Sequence, residues 1–334
     1  MLLKSRSIYF NSRSLLMLLL LFMIACKKEE YALPTAKDIL QNDAIKRTLG
    51  PNIVGQQIEF AYAMAVSPAK GTKLQTAEVE ASIAGGVGTF LQNNSFYTNG
   101  SGADVAVLVG SPSVTTGTKT TVTFTRDTVA STLRYYYVIP EEARGKTVSF
   151  TFTVKSTNGE TATYKMGPYT VAKMDMVRNL TVSDGNVMYI SIADMAVYNA
   201  AAAAANPGKI DLVYLYRNDV ATSAFNHSIV SPAADPQYRP GVTLPTGVNK
   251  STAMLKVFNL QDFNLAQLQF GIFIDDVDFE KIDLSTAPNF AINLVAQAGA
   301  WVETADKKFK AYVYVNTINN AGRSAVISIK RYSF

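Results

Sequence analysis

The stretch Val148-Ser149-Phe150-Thr151-Phe152-Thr153-Val154 alternates apolar and hydroxyl side chains without a break. Successive side chains of an extended chain leave on opposite faces, so this run has one face for a core and one for water. That is the pattern of an antiparallel strand in a half-buried sheet. Asn158-Gly159 follows, then Thr161 to Val171, so the run continues as a hairpin. The same period recurs upstream, where Ile58, Phe60, Tyr62, Met64 and Val66 alternate with Glu59 and three alanines, and Ala77, Val79, Ala81 and Ile83 alternate with Glu78, Glu80 and Ser82. Gly- and Asn-bearing turns separate the runs, which favours a sandwich over a βαβ fold.

A second hairpin closes the chain, with Tyr312 to Val315, a turn at Asn319 to Gly322, and Ala325 to Ile329. The weak repeat predicts two tandem antiparallel β-sandwich domains of the immunoglobulin-like class, joined near Lys173 to Asp175. The second opens with Leu180 to Ser191 around a turn at Asp184-Gly185, and Ile210 to Tyr216 is nearly all apolar, as a strand buried on both faces would be. The 334 residues are 48% hydrophobic and 17% charged, too apolar for a disordered chain, and they suffice for two cores. The layout read from the sequence is 1–25, a targeting segment; 26–50, a tether and short helix; 51–174, the first sandwich; and 175–334, the second.

Lys4, Arg6 and Arg13 precede Leu15 to Ala25, an apolar run of eleven residues. A membrane span needs roughly 20, so the run suits the core of a signal peptide. It ends at Ala25-Cys26, and Cys26 is the single cysteine. Met23-Ile24-Ala25-Cys26 resembles a lipobox, with Met23 where Leu is commonest, and the resemblance implies that Cys26 carries the lipid and anchors the chain in a membrane. Removing residues 1–25 takes away three cations and no acids, which leaves 28 cations against 26 acids and a net charge of +2 in place of +5. Nothing in that balance calls for nucleic acid. Lys27-Lys28-Glu29-Glu30 resembles the surface-export signal of Bacteroides-type lipoproteins, which implies an outer-membrane location facing outward. Next, Thr35 with Asp38 forms a capping-box signature, and Ile39, Leu40 and Ile45 give an apolar stripe that Gly50-Pro51 ends, which predicts one short helix.

Side chains that do chemistry are few. One Cys, one His and one Trp exclude a disulfide scaffold and a Cys/His zinc site. His227 sits in the polar stretch Phe225-Asn226-His227-Ser228 and reads as a solvated loop histidine, with no Gly-x-Ser-x-Gly elbow in the chain. Asp275, Asp276, Asp278 and Glu280 are the densest acids. Leu268, Phe270, Ile272 and Ile274 alternate before them and Val277 and Phe279 take the other parity, which predicts a strand with a bulge at Asp275-Asp276. Asp276, Asp278 and Glu280 would then share one face; a solvated face is the plain reading, and calcium or a glycosidase pair are the alternatives. Neither a metal nor a cofactor is expected, and no residue is assigned to catalysis.

Sugars are held by aromatic faces and by amides that read hydroxyls. The candidates are loop aromatics and their polar neighbours: Phe96 and Tyr97 with Asn99, Tyr238 with Arg239 between two prolines, and Trp301 after a Gly-Ala pair. For each, packing is the plainer alternative. Tyr135, Tyr136 and Tyr137 alternate within a strand, which sends at least one to the core.

The stretches Asn42 to Ala63 and Ile210 to Pro232 resemble a Bacteroides-type family of two-domain outer-membrane lipoproteins of unknown function. The layout is loosely similar to surface glycan-binding lipoproteins of starch-utilisation systems. The resemblance implies a non-enzymatic surface protein that captures polysaccharide beside a porin-like transporter, with outer-membrane lipid as its other partner through Cys26. The rivals are a fimbrillin-like pilus subunit or adhesin, with a protease site at Arg47 after the helix, and, third, a glycoside hydrolase. No ligand residue transfers from the family, because no site motif matches.

Overall fold

The computed structural model describes residues 39–67, 71–219, 223–267 and 271–334. The Cys26 lipobox, the Lys27 to Glu30 signal and the Thr35–Asp38 capping signature lie outside them. The chain from Ile39 to Phe334 forms one compact unit. Its first half contains β1 (Gln41–Lys46), β2 (Gln57–Ala65), β3 (Leu74–Ala81), β4 (Phe90–Leu91), β5 (Asn94–Thr98), β6 (Asp104–Leu108), β7 (Val114–Thr116), β8 (Lys119–Thr123), β9 (Ala130–Val138), β10 (Thr147–Ser156) and β11 (Thr161–Thr170). One sheet runs β1-β2-β9-β4 and faces a second, β11-β10-β3-β8-β7, while β5 and β6 make a separate hairpin.

The alternating stretches become the paired centre of this sandwich. β2 runs antiparallel to β9 from Gln57 opposite Val138 to Ala65 opposite Ala130. Its inward residues Ile58, Phe60 and Tyr62 meet Tyr135 and Tyr137 of β9, and Phe150 and Phe152 of β10, in one core. The Phe60 and Phe150 rings lie 4.8 Å apart and tilted, an arrangement that stabilises beyond burial alone. Tyr136 faces outward and stacks on Phe90.

The expected helix before this sandwich is a strand where the structure describes it: Gln41–Lys46 pairs with β2 as the edge β1. Leu40 and Ala44 enter the core while Ile39 and Ile45 stay exposed. The spacing of Leu40 and Ala44 satisfies both a helical and an extended period, and the open edge of β2 selects the strand. The Asn42 amide donates to the Tyr62 hydroxyl at 3.2 Å and to the Phe152 carbonyl at 3.0 Å, so β1 clamps both sheets.

The second half contains β12 (Asp175–Ser183), β13 (Tyr189–Ser191), β14 (Ala196–Tyr198), β15 (Leu212–Asp219), β16 (Ser223–Val230), β17 (Ala253–Phe258), β18 (Phe290–Leu294), β19 (Ala298–Glu303), β20 (Phe309–Asn319) and β21 (Ser324–Ser333). Sheets β12-β21-β20-β19-β17 and β14-β13-β15-β16-β18 enclose a second core, aliphatic apart from Tyr214. Here the outer faces are covered as well. Leu265, Ile274, Phe279 and Leu284 pack on Trp301, Tyr312, Tyr314 and Tyr332 of one sheet. Ala203, Ile210, Ala234 and Val248 pack on Tyr189, Val213, Leu215 and Val230 of the other. That double cover explains why Leu212 to Leu215 are apolar without alternation, as expected of a strand buried on both faces.

The acid-rich stretch is a helix, Asp276–Lys281, where a bulged strand was expected. Asp275 caps it: its carboxylate accepts from the Val277 and Asp278 N–H groups, and the Asp278 carboxylate accepts from the Asp275 N–H. This reciprocal box satisfies the orphan donors of the first turn and outweighs the strand-like alternation before it. Lys310 closes the other end, donating to the carbonyls of Phe279 and Ile282.

Candidate functional site

The residues singled out for sugar binding lie in three separate places. Phe96 and Tyr97 belong to β5, a strand of the hairpin, and were expected in a loop. Phe96 covers the Arg134 guanidinium at 4.2 Å, which leaves Tyr97 as the exposed ring. The Asn99 carboxamide oxygen accepts from the Ser101 and Ala103 N–H groups, so it builds the β5–β6 turn. Tyr238 ends a short 3-10 turn and stacks on Phe290 at 3.7 Å, and Arg239 donates to the Ala234 carbonyl, so both fasten the outer cover of the second sandwich. Trp301 is no loop residue: it lies buried in β19 between Phe279 and Tyr312, because the cover carrying Leu265, Ile274, Phe279 and Leu284 seals that face.

The acidic candidates are likewise engaged one by one. Asp276 accepts from the Lys173 N–H at 2.7 Å and the Met174 N–H at 3.2 Å, Asp278 completes the capping box, and Glu280 accepts from the Tyr332 hydroxyl at 2.7 Å. On a six-residue helix they do not share the strand face expected of them. Among the described residues no group of three or more His, Cys, Asp or Glu could hold a metal ion. His227 is no solvated loop residue; it is buried in β16, where Nδ1 is 2.5 Å from the Tyr214 hydroxyl and Nε2 is 2.8 Å from the Asn320 carboxamide oxygen. Burial lowers its pKa from the usual 6.5, which keeps the imidazole neutral.

The structure instead joins the two sandwiches through a built contact and leaves a cleft beside it. Asp276 of the second sandwich holds the Lys173 and Met174 N–H groups of the crossover. Arg144 reaches from the first sandwich to Asp175 at 2.6 Å and to the Lys173 carbonyl at 2.8 Å. Ile53 shares a core with Met174 and Phe279. Next to this contact, a cleft of about 530 Å³ is lined by Thr48, Asn52, Gln56, Gln57, Val87 and Asn264 among others. Ligand pockets commonly have this size and lie between domains.

The cleft carries no charge, and its amides have fixed directions. Asn264 accepts from the Lys330 ammonium at 2.9 Å, so its NH₂ points away from that cation as a donor. Asn52 donates to the Thr170 carbonyl at 2.7 Å, so its carboxamide oxygen remains an acceptor. Gln56 and Gln57 are exposed, with side-chain amides free of partners among the described residues. Leu49 and Val87 stand exposed nearby. A second recess of similar size at the other end of β2 is lined by Gln41, Met64, Ser131 and Tyr164 and is a shallower surface. Sequence reasoning missed the cleft because Asn52 and Asn264 lie on different sandwiches, and neither carries a local signal.

Fold and site together define a two-sandwich β protein with a neutral, amide-lined cleft at the join. Residues 37–171 match the family model Domain of unknown function DUF4466, and residues 172–334 match Domain of unknown function DUF8576. The crystal structure of a DUF4466 family protein from Parabacteroides merdae ATCC 43184 is 46% identical, covers 90% of this chain and 100% of that chain, and superposes with a TM-score of 0.83. The chain belongs to the DUF4466 family. The major pilin subunit of Bacillus cereus is 11% identical with a TM-score of 0.28, covering 86% of this chain and 63% of that one. A major pilin fragment of Streptococcus agalactiae is 10% identical with a TM-score of 0.29, covering 86% and 91%. Likeness at that level carries no argument about function. No curated protein matches the chain.

Proposed function

We propose that this protein is a non-catalytic binding lipoprotein, anchored in the outer membrane through lipid on Cys26 and facing outward, that holds an uncharged glycan chain in the cleft between its sandwiches. The observation that carries the reading is the pairing of a fixed donor on Asn264 with a fixed acceptor on Asn52 in a cleft without charge. Sugar hydroxyls both donate and accept, and such a pair reads them where an ionic site would not. No aromatic ring lines the cleft among its described residues, so binding is expected to be weak and to depend on several hydroxyls. Capture of this kind suits a partner such as a porin-like transporter. The signal-peptide core ending at Cys26 and the acidic residues after it support the anchor.

The test is titration of the chain from Lys27 onward with neutral oligosaccharides, before and after Gln56→Ala with Gln57→Ala. The paired change should weaken binding several-fold at unchanged stability, since both side chains are exposed. Absence of any saccharide binding at millimolar concentration would overturn the reading. Cys26→Ala, followed by fractionation, tests the anchor separately; a variant still held in the membrane fraction would refute it.

A specific observation favours one alternative, the pilus subunit or adhesin. β1 is an edge strand whose backbone ladder pairs with β2 alone, and Arg47 follows its last residue directly, with a partly exposed side chain. Cleavage after Arg47 would free β1 and open a groove over Phe60 and Tyr62 to a donor strand. Polymerisation of the protein after limited cleavage at Arg47 would transfer the assignment to this class.

A further inference from the structure

At one end of the second sandwich, Arg217 and Arg323 both bind the same carboxylate, Asp184. The Asp184 side chain is buried, Arg217 mostly so, and Arg323 is 55% exposed. Two guanidiniums on one carboxylate leave a net charge of +1. Arg217 also donates to the Pro240 and Tyr216 carbonyls, which fixes its plane. Together with Tyr216 and Asn320 these arginines line a hollow of about 370 Å³.

The third member of this wall is fixed from inside the core. With the Asn320 oxygen facing His227 Nε2, that nitrogen carries the proton, and Nδ1 accepts from the Tyr214 hydroxyl. The Asn320 NH₂ is therefore turned away from the histidine as a donor. Tyr214 and His227 are almost wholly buried in a sandwich whose core is otherwise aliphatic. Buried polar groups carry a desolvation cost that two apolar side chains of the same size would avoid. What the pair achieves is the orientation of one exposed amide.

From this convergence we infer that the hollow formed by Arg217, Arg323 and Asn320 is a seat for a monoanionic carboxylate, of the kind carried by uronic acid residues of an acidic glycan. Guanidinium and amide groups are planar donors that match a planar carboxylate. A single net positive charge neutralises a monoanion and leaves a phosphate dianion uncompensated. The seat is separate from the neutral cleft and does not depend on it.

Isothermal titration of the chain from Lys27 onward compares oligogalacturonate with its uncharged oligogalactose counterpart and with inorganic phosphate. The uronate is expected to bind at least tenfold tighter than the neutral oligomer, and to weaken as salt rises. Arg323→Gln should remove that preference, and Arg323→Lys should restore part of it. Asn320→Asp keeps the acceptor for His227 but adds a repelling charge, so it should abolish uronate binding in a variant that still folds, as circular dichroism would show. Gln56→Ala with Gln57→Ala should leave uronate binding intact, which separates this seat from the cleft. Equal affinity for charged and neutral oligomers, no effect of Arg323→Gln, or tighter binding of phosphate than of uronate would each overturn the assignment.

Discussion

The Lys330 ammonium lies 2.6 Å from the Asp262 carboxylate, and neither side chain reaches solvent. The pair sits where β21 passes beneath the cover of the second sandwich. Asp262 also accepts from the Leu265 and Ile274 N–H groups, and Lys330 also donates to the Asn264 oxygen and the Ile274 carbonyl. Every strong donor and acceptor is thus matched, the condition under which a buried ion pair is tolerated. The same contact orients the cleft amide of Asn264.

Lys330→Met should therefore destabilise the protein by about 3–5 kcal/mol, because it leaves Asp262 buried and uncompensated. Chemical denaturation measures the loss. A change of less than about 1 kcal/mol would mean that the pair contributes little beyond packing.

Trp301→Ala should act on stability and leave ligand selectivity alone. The indole is 7% exposed and packs on Phe279 at 5.3 Å and Tyr312 at 5.0 Å. Removal of such a ring costs about 3–5 kcal/mol. A stable variant that had lost saccharide binding would reinstate Trp301 as a ligand residue.

Trp301 also shows where the sequence is legible and where it is not. Ile58 to Met64 and Val148 to Val154 reveal their strands because one face is wet, and period two survives in the residue types. Around Trp301 that contrast vanishes: Ala298 to Val302 are all buried, because Leu265, Ile274, Phe279 and Leu284 cover the outer face. A cover supplied from a distant part of the chain leaves no local period. His227 was hidden for the opposite reason, since polar neighbours mask a side chain whose partners Tyr214 and Asn320 are remote in sequence. The Asp275-Asp278 box was legible in principle, as Asp followed three residues on by an acid, but the alternating residues before it suggested a strand. Of the site, the polar character of individual loops could be read; the pairing of Asn52 with Asn264 across the join could not.

Asp276→Ala should loosen that join. It removes the acceptor of the Lys173 and Met174 N–H groups. Hydrogen bonds to a charged group contribute about 1.5–3 kcal/mol each, and partial exposure of this pair points to the low end. Tryptic cleavage after Lys173 should accelerate several-fold. An unchanged digestion rate would show that Arg144, through Asp175 and the Lys173 carbonyl, holds the crossover alone.

Gly50→Ala should disturb the same region from the other side. Gly50 has φ of +76°, and an added Cβ would lie 2.3 Å from the Phe273 ring. The left-handed backbone alone costs about 1–2 kcal/mol for an L residue, and displacement of the ring adds to it. A drop in melting temperature checks this; full stability would mean that Phe273 moves aside without loss.

His227 predicts how stability depends on pH. It is the single histidine of the chain, so side-chain titration near pH 6 to 7 belongs mainly to it. Burial lowers its folded-state pKa below the ordinary 6.5, against a smaller upward pull from Asn320. As pH falls below 6.5 the unfolded chain takes up the proton first, while the folded imidazole stays neutral. Proton uptake then favours unfolding, so the stability is complete above 6.5 and declines as the pH falls toward the lowered folded value. Denaturant titrations from pH 7.5 down to about 5 should show this decline. Asp211 titrates with the opposite sign, since burial raises its carboxyl. The comparison with His227→Gln removes that common background: the variant should start less stable and lose less stability over the same interval. Parallel curves for the two proteins would show that His227 does not carry the pH dependence.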